Sequence, residues 1–480
     1  MSKRVLFALL IVVMLMAAGC STSAPQATTA PDQEPAATTA GETDATVAVE
    51  PAASGNCTLH ILGGTRSYEG EEEVWNELFA AFEAEYGCKV EARWQGEWSD
   101  TPQQLETARM AQEPVDIVYN SATLNYTMAR SGILMDMTDL VAPIADRFAD
   151  GMLDKYTIGG HVWAIPLSDS STSTFFYNAD LFKELGLDEP KTYADLLTIS
   201  QKIKDEKGIM PLIHQGKEPW YWPMWFFETY AQTTGNQSIQ DIEDFLSGKR
   251  QFTGEEEKAA LDAITQFYTD GIMAPESMDT DNAGMRAAFL QGKAAMYYGG
   301  TWEVAPLRSS NPSFEIGIFQ FPQMVDGVTP QHGGGPDNAW SIPSFAPAEN
   351  LPMTVQFLEF ITRPENAQKI LNTYAAMIPS IKGVTPVDDP FAEELNSEFV
   401  PNTITYLDWI WPTEINDAIV EVIPAVMTGN MTTDQAVERV QKAYDTLVEE
   451  KQYSFDWWNT WTDADWQKVT PASIPQIEVK

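Results

Sequence analysis

The sequence predicts an α/β fold in which helices flank mostly parallel sheets. A strand-like segment at 58–62 is followed by a helical pattern over 71–85 and by a second strand at 89–94. Strands that alternate with helices in this way are typical of parallel sheets. The chain has 480 residues, of which 44% are hydrophobic, and it shows no internal repeat. This length is sufficient for two α/β lobes, each with its own core.

The first twenty residues have the pattern of an export signal. Lys3 and Arg4 precede an uncharged apolar run over 5–16, which is too short for an ordinary membrane span. The segment resembles a bacterial lipoprotein signal that is cleaved before Cys20 and lipidated on its thiol, although Ala17 stands where leucine is preferred. We predict a signal peptide over 1–19 and a lipid anchor at the outer face of the cytoplasmic membrane. An ordinary secretory peptide with an incidental cysteine is the alternative.

Residues 21–55 predict a disordered spacer. They are rich in Ala, Thr, Pro and Ser, with five acidic residues, no aromatic residue and no Lys or Arg. Such a composition cannot bury enough surface to offset the loss of chain entropy on folding. We therefore predict that 20–56 comprise the lipidated cysteine and a flexible linker to a folded domain.

The helix over 71–85 and the two strands beside it predict the start of that domain. Gly87 ends the helix, and its apolar side chains fall three and four residues apart, at Val74, Trp75, Leu78, Phe79 and Phe82. Cys57 and Cys88 each open one of the strands. If the strands are neighbours, the two thiols lie side by side, and export permits a disulfide. Two buried free thiols are the alternative.

Further strands and helices alternate over the rest of the chain. A buried strand is predicted at 115–119, and two helices within 180–207, the second capped by Thr192 with Asp195 three residues later. Further strands are predicted at 163–167, 294–298 and 315–320. Further helices are predicted near 101–111, 255–270, 353–361, 365–374, 415–427 and 433–450.

The net charge of −40 argues against a nucleic-acid partner, because phosphate binding needs basic surface. It also disfavours a phosphorylated ligand. For most acidic residues the charge serves only solubility. Only four His are present and none lies near the cysteines in sequence, so we predict no metal site and no cofactor.

Four segments, in order, resemble bacterial extracellular solute-binding protein family 1, which includes the maltodextrin-binding proteins of ABC importers. Residues 161–204 contain a strand ending in Pro, followed by YNADLF, GL and PKTY. Residues 289–302 read FLQGKAAMYYGGTW. Residues 333–370 begin GGGPDNAWSIPS and end FLEFITRPENAQKI, and 427–447 read MTGNMTTDQAVERVQKAYDTL.

This resemblance implies a periplasmic-binding-protein type II fold, in which two lobes are joined by hinge crossings. The crossings are expected near Pro166, Phe319 and Tyr374. The N-terminal lobe then comprises 57–165 and 320–372, and the C-terminal lobe 166–319 and 373–480. The family also implies a monomer that closes on a ligand in the cleft. A membrane permease would recognise the closed form.

Aromatic residues are the first candidates for ligand contact, because sugars offer C–H faces for stacking and hydroxyls for hydrogen bonds. The chain has 15 Trp. By the resemblance, Trp220 in EPWYWPMW matches an aromatic that lines the cleft, and Trp222 is its neighbour. Trp302 in GTW matches a stacking residue, and Trp411 is a looser match. Core packing is the alternative for each and is favoured for Trp225. The apolar face of a terminal helix is predicted to comprise Trp457, Trp458, Trp461 and Trp466.

Polar candidates lie in loops that follow strands, where open α/β sheets bind ligands. The alternative for each is a solvated loop or a helix cap. The glycines at 333–335 are not a phosphate cradle, because no G-x-x-x-x-G-K-[ST] pattern occurs. The candidates are Arg66, Glu69, Glu97, Trp98, Asn120, Ser121, Asp169, Ser170, Asp337 and Asn338.

Two other functions remain open. A secreted glycosidase would also show Trp and paired acids, but no specific pair can be recognised, and G-x-S-x-G and H-E-x-x-H are absent. We therefore predict a binding protein and not an enzyme. Within the same fold, an acidic cleft with Trp walls also suits a polyamine or another organic cation.

Overall fold

Two sheets covered by helices form the folded part of the chain. The computed structural model describes residues 57–64, 70–96, 98–166, 169–336, 338–373, 378–399 and 402–480. Its strands are β1 Thr58–Gly63, β2 Lys89–Trp94, β3 Ile117–Ser121, β4 Thr157–Ile158, β5 His161–Val162, β6 Ile165–Pro166, β7 Asp169–Asn178, β8 Met210–Ile213, β9 Ala294–Gly300, β10 Ile316–Phe319, β11 His332–Pro336, β12 Asn338–Ser341, β13 Ile378–Pro379 and β14 Thr403–Thr405.

The helices cover both faces of these sheets. They are α1 Glu71–Tyr86, α2 Thr101–Ala111, α3 Asn125–Arg130, α4 Thr138–Val141, α5 Ala179–Leu185, α6 Tyr193–Lys207, α7 Trp222–Thr233, α8 Ser238–Leu246, α9 Glu255–Thr269, α10 Asn282–Leu290, α11 Val304–Ser309, α12 Leu351–Ile361, α13 Pro364–Leu371, α14 Pro390–Glu394, α15 Thr413–Met427, α16 Thr433–Lys451 and α17 Asp463–Val469.

The first sheet has the strand order β2-β1-β3-β12-β6. The central strand β1 is parallel to both β2 and β3, and β12 is antiparallel to β3 and β6. Leu59 and Ile61 of β1 pack into a core on one face, and Leu62 packs into a core on the other. Burial on both faces explains why apolar residues occur at adjacent positions of β1, as in Ile61 and Leu62. This sheet and the helices on it are called the first lobe.

The second sheet is organised around β7, and with its helices it is called the second lobe. Its strand order is β14-β11-β7-β9-β8, and β10 and β13 also pair with β7. All four partners of β7 are antiparallel to it, whereas β8–β9 and β11–β14 are parallel. The prediction of mostly parallel pairing is corrected here. The strand that follows β7 through helices, β8, pairs with β9 and not with β7, so no β-α-β unit makes β7 parallel to its partners.

Alternation along β7 explains the two cores of the second lobe. Phe175 packs into a large cluster with Trp225 and Tyr298, whereas Phe176 packs on the opposite face with Tyr297. Successive residues of a strand point to opposite faces, so both cores depend on the same strand.

The helix ends follow from local chemistry. α1 buries Trp75, Leu78, Phe79 and Phe82, as its periodicity predicts, and ends at Gly87 with φ 68°, a conformation that favours glycine. α6 has the predicted capping box: the Thr192 hydroxyl accepts from the Asp195 backbone N–H, and the Asp195 carboxylate accepts from the Thr192 backbone N–H.

The strands change lobes at three places in the middle of the chain. β6 leads into β7, β11 leads into β12, and α13 leads into β13. The second crossing lies between Pro336 and Asn338, after β11, and the sequence prediction placed it near Phe319. The Tyr156 hydroxyl donates to the carbonyls of Pro336 and Asn338, at 3.2 and 2.9 Å. The rest of the predicted lobe division stays a prediction.

Cys57 and Cys88 form a disulfide, with Cα atoms 4.7 Å apart. They precede β1 and β2, whose first residues, Thr58 and Lys89, are opposite one another in the parallel register. The bond therefore joins the start of the described chain to the edge strand of the first sheet.

Within the described ranges, no helix is long and apolar enough to cross a membrane. The same residues contain no group of three or more His, Cys, Asp or Glu arranged to hold a metal ion. The predicted signal peptide, Cys20 and the linker lie outside the described residues.

Candidate functional site

The candidate site lies where strand ends of the two lobes meet. In the first sheet, the C-terminal ends of β1, β2 and β3 share one edge because the strands are parallel. In the second sheet, the parallel strands β8 and β9 end together, before Gln215 and Trp302. Five of the predicted ligand residues lie at these two edges: Trp98, Asn120, Ser121, Trp220 and Trp302.

Aromatic rings line the edge of the first sheet. The Trp98 ring lies 5.5 Å from that of Tyr119 and packs over Gly64, where a Cβ would come within 3.0 Å of the indole. A Cβ on Gly63 would come similarly close to the Trp94 ring and to the carbonyl oxygen of Tyr119. Both glycines are therefore needed for the close approach of these rings, and Trp98 is half-buried at its predicted place.

Asn120 is the most distinctive polar residue at this edge. It is completely buried, and neither its Oδ1 nor its Nδ2 has a hydrogen-bond partner among the described residues. Its neighbour Ser121 makes a 2.8 Å hydrogen bond to Thr123 and pairs in β-register with Asn338, another predicted contact. An unsatisfied buried amide costs free energy, so its retention suggests a role other than packing.

Trp302 and Trp220 form an aromatic pair at the edge of the second sheet. Their ring centroids are 6.1 Å apart, with planes inclined by 62°. Trp302 packs against core residues of both lobes, and its buried Nε1–H has no acceptor among the described residues. Gly300 has room for no side chain, because a Cβ would lie 2.2 Å from the Trp302 ring. Trp220 is 48% exposed, the most exposed tryptophan named at either edge.

A buried polar network supports the segment that contains Trp302. Glu303 accepts from Asn282 Nδ2 at 2.8 Å and from Arg286 Nε at 3.0 Å. Asn282 also donates to the Oε1 of Gln215, and its own Oδ1 accepts from Arg286 at 2.7 Å. This chain of bonds leaves the Gln215 Nε2 buried and without a partner in the described structure. Sequence reasoning missed the network, because its members are far apart in the chain.

A second missed group joins three strands near the crossings. Glu228 Oε1 on α7 accepts from Ser173 of β7, from the Tyr298 hydroxyl at 2.9 Å and from the Gly333 backbone N–H at 3.0 Å. Burial raises the pKa of Glu228 to about 7. His332 lies 4.0 Å from its other oxygen, and burial lowers the pKa of this imidazole to about 4. A lone carboxylate inside the apolar run WPMWFFETY was the available signal.

Trp222 and Trp411 occupy core positions. The Trp222 Nε1–H donates to the carbonyl of Gly216 at 3.0 Å, and the Trp411 Nε1–H donates to Asn416 at 3.3 Å. Both rings are at most 2% exposed. Trp225 is also buried, as its position in the helix predicts. The structure therefore favours the packing alternative for Trp222 and Trp411 and leaves Trp220 and Trp302 as the available pair.

The remaining predicted contacts are only partly described. Asn338 is half-buried at the start of β12. The backbones of Asp169 and Ser170 pair with Pro379 and Ile378 at the start of β7. Outside the described residues lie Arg66, Glu69, Glu97 and Asp337.

The comparisons with known proteins agree on one family. The family model described as bacterial extracellular solute-binding protein matches residues 77–396. The multiple sugar-binding protein of Streptococcus mutans is 25% identical over 263 residues, which cover 54% of this chain and 60% of that protein. The diacetylchitobiose binding protein DasA of Streptomyces coelicolor is 26% identical over 272 residues, which cover 55% and 60%. The matched part thus spans about three fifths of these relatives.

Solved structures confirm the fold class. A chitin oligosaccharide binding protein superposes with a TM-score of 0.72 at 19% identity, covering 82% of this chain and 99% of that one. At this identity the likeness shows the fold alone. It bears out the predicted two-lobed α/β architecture.

Proposed function

This chain belongs to the bacterial extracellular solute-binding proteins, and from that membership we propose that it captures an oligosaccharide between its two lobes. It would then deliver the sugar to the permease of an ABC importer. The observation that carries the sugar assignment is the Trp220–Trp302 pair at the edge of the second sheet, and the unsatisfied amide of Asn120 at the edge of the first sheet supports it.

These groups have the chemistry that a sugar requires. Indole faces stack on the C–H faces of pyranose rings, and the half-exposed Trp220 offers such a face. The Nε1–H of Trp302 and the Nδ2 of Asn120 are donors, and the Oδ1 of Asn120 is an acceptor for a hydroxyl. The site therefore combines stacking surface with groups that can both donate and accept.

The buried network beneath Trp302 supports a rigid platform. Glu303 is 1% exposed and is bonded to Arg286 and Asn282, so the segment that follows Gly300 is fixed on its polar side. A pre-positioned ring loses little conformational freedom on binding. The sugars named for the relatives, diacetylchitobiose among them, agree with this ligand class.

An organic cation such as a polyamine is the second candidate. The net charge of −40 favours cations over anions near the surface, and tryptophan faces bind them through cation–π contacts. At the edge of the second sheet, however, the carboxylate of Glu303 is already paired with the guanidinium of Arg286 at 2.9 Å and is therefore not free to bind a cation. A neutral sugar is therefore the first choice.

The location and partners belong to the same proposal. The protein would be exported, lipidated on Cys20 and held at the outer face of the cytoplasmic membrane by the linker over 20–56. It would act as a monomer, with a permease as its macromolecular partner and without a catalytic activity.

A thermal-shift screen tests the ligand class. The panel contains raffinose, maltotriose, diacetylchitobiose, spermidine and glycerol 3-phosphate. A ligand that binds only the folded state stabilises it by about 2.7 kcal/mol at a hundred times its dissociation constant. Stabilisation by an oligosaccharide alone supports the proposal, and calorimetric titration then gives its affinity. Stabilisation by spermidine alone would replace the sugar with a cation.

A further inference from the structure

The chain crosses between the lobes a fourth time, near its C-terminus. α16 packs against α15 and α9 of the second lobe. It ends at Gln452, whose φ of 51° reverses the chain direction. The next residue, Tyr453, is buried in a core cluster of the first lobe. Leu447, in the last turns of α16, is already buried in that same cluster, so the crossing is made over the end of α16 and Gln452.

Tyr453 is anchored to α3 of the first lobe. Its hydroxyl lies 3.0 Å from that of Tyr126, which is also 3.2 Å from the carbonyl oxygen of Phe455 and donates a hydrogen bond to it. The guanidinium of Arg130 lies 5.1 Å from the centre of the Tyr453 ring. Phe455 packs against cores of both lobes. The crossing is therefore fixed on its first-lobe side by hydrogen bonds, a cation–π contact and burial.

The segment then packs along the edge of the first sheet. Trp457, Trp461 and Trp466 surround Trp163, with ring centroids 5.7, 5.9 and 6.2 Å away. At the end of α17, the carbonyl of Val469 accepts from the backbone N–H of Asp136 at 2.8 Å. Aromatic side chains of this size bury large apolar areas, so detachment of the segment would be costly.

The last residues reach the opposite face of the same sheet. The Gln356 side chain bonds to both backbone groups of Glu478, at 2.8 and 2.9 Å. The backbone N–H of Lys480 donates to Glu359 at 2.9 Å, and its ammonium group lies 2.8 Å from Glu85. The segment therefore wraps the first lobe from one face to the other.

We propose that residues 453–480 form a tether that limits how far the two lobes can separate. The segment is bonded to the first lobe at several independent places, whereas its connection to α16 has almost no slack. The two lobes also contact each other beside the crossing, where the hydroxyl oxygens of Thr127 and Thr413 are 3.2 Å apart. Separation of the lobes must therefore pivot about the last turns of α16 and Gln452. A restricted open state lowers the conformational cost of closure.

An insertion tests the tether without any ligand. About ten Gly and Ser residues between Gln452 and Tyr453 add roughly 17 Å of flexible reach and leave the contacts of the segment in place. The matched control carries the same insertion between Gly429 and Asn430, in the exposed turn that joins α15 to α16 within the second lobe. Because no ligand is present, the outcome is independent of the proposed sugar binding.

Pulsed electron spin resonance measures the separation of the lobes. Spin labels are placed at Met110→Cys on α2 and Glu255→Cys on α9, in the full chain with Cys20→Ser. Both positions are exposed. The insertion after Gln452 is expected to shift the distance distribution to longer values, and the control insertion is expected to leave it unchanged. Equal distributions in the two variants would overturn the tether.

A shorter insertion decides the matter if ten residues impair folding. About five Gly and Ser residues at the same place add roughly 12 Å of flexible reach and keep every bond of the segment to the first lobe. We expect a smaller shift in the same direction, with an unchanged circular dichroism spectrum. A folded five-residue variant with the parental distance distribution would refute the proposal.

Discussion

At the scale of single residues, similar tryptophans have different roles. The Trp411 ring is buried and its indole N–H donates to the side-chain oxygen of Asn416, whereas Trp302 is half-buried and its N–H has no acceptor among the described residues. Buried donors are normally satisfied, so the N–H of Trp302 is available to a ligand. Sequence position could not separate the two residues, because both are tryptophans near strand or helix ends.

Trp302→Ala is expected to weaken binding of the oligosaccharide found in the screen by at least about tenfold. The reason is the loss of a stacking face, of the kind that contributes about 1–1.5 kcal/mol, and of an N–H donor. Isothermal titration calorimetry measures the change. Trp302→Phe should retain part of the affinity, and the core variant Trp411→Phe should retain all of it. An unchanged dissociation constant for Trp302→Ala would remove the residue from the site.

Glu228 predicts an unusual dependence of stability on pH. Its folded pKa of about 7 exceeds the ordinary value of 4.5 for a glutamate, so the folded state holds a proton that the unfolded state releases. The contribution of Glu228 to the free energy of unfolding therefore falls as pH rises from 4.5 to 7. His332, with its pKa lowered to about 4, contributes in the opposite direction between 4 and 6.5. The two groups largely cancel in the parent protein.

Glu228→Gln should expose the contribution of His332 alone. Glutamine can still accept from Ser173, Tyr298 and Gly333, and it does not ionise. Relative to the parent, the variant should gain up to about 3 kcal/mol of stability between pH 5 and pH 8. Urea denaturation at the two pH values measures the difference. A constant difference between variant and parent would show that Glu228 is ionised at both.

At the scale of elements, local sequence signals predicted well wherever the stabilising contacts are local. The apolar spacing of α1 and the Thr192–Asp195 capping box were both found as predicted. The antiparallel pairing around β7 was not predicted, because the residues of β7 alone do not determine which strands lie beside it. Strand pairing depends on partners that are distant in the chain, and the crossing after β11 could not be located for the same reason.

The disulfide predicts a measurable effect on the first sheet. It closes a loop between residues 31 positions apart, and the loss of such a closure is expected to cost about 3–4 kcal/mol. The Cys57→Ser and Cys88→Ser double variant should therefore unfold at a lower urea concentration than the parent. Reduction should lower the stability of the parent and leave the double variant unchanged. Equal stability of oxidised and reduced parent would show that the bond does not constrain the unfolded chain.

At the scale of the whole molecule, the resemblance predicted a two-lobed α/β fold, and the solved structures bear out that class. The wrapping of the first lobe by 453–480 was not foreseen. The sequence pattern predicted one terminal helix with Trp457, Trp458, Trp461 and Trp466 on its apolar face, but only Trp466 lies in α17, and Trp457 and Trp458 lie in a separate 3₁₀ turn. The pattern also could not identify Trp163 as the partner of these rings. The site was predicted in part for the same reason: strand ends locate Asn120 and Trp302, whereas the network of Glu303 depends on tertiary contacts.

The net charge of −40 gives a test that separates the two ligand classes at this scale. Salt screens attraction between the acidic protein and a cation, because the Debye length falls from about 30 Å at 0.01 M to about 3 Å at 1 M. A neutral oligosaccharide has no net charge to screen. Its dissociation constant should change less than about twofold over this range, whereas that of spermidine should rise more than about tenfold.

The unfolding midpoint of the free protein should rise with salt in either case, since screening also relieves self-repulsion, and it serves as the internal control. Strong salt dependence of the ligand that the screen identifies would show that the ligand is charged, and the cleft would then be assigned to an organic cation.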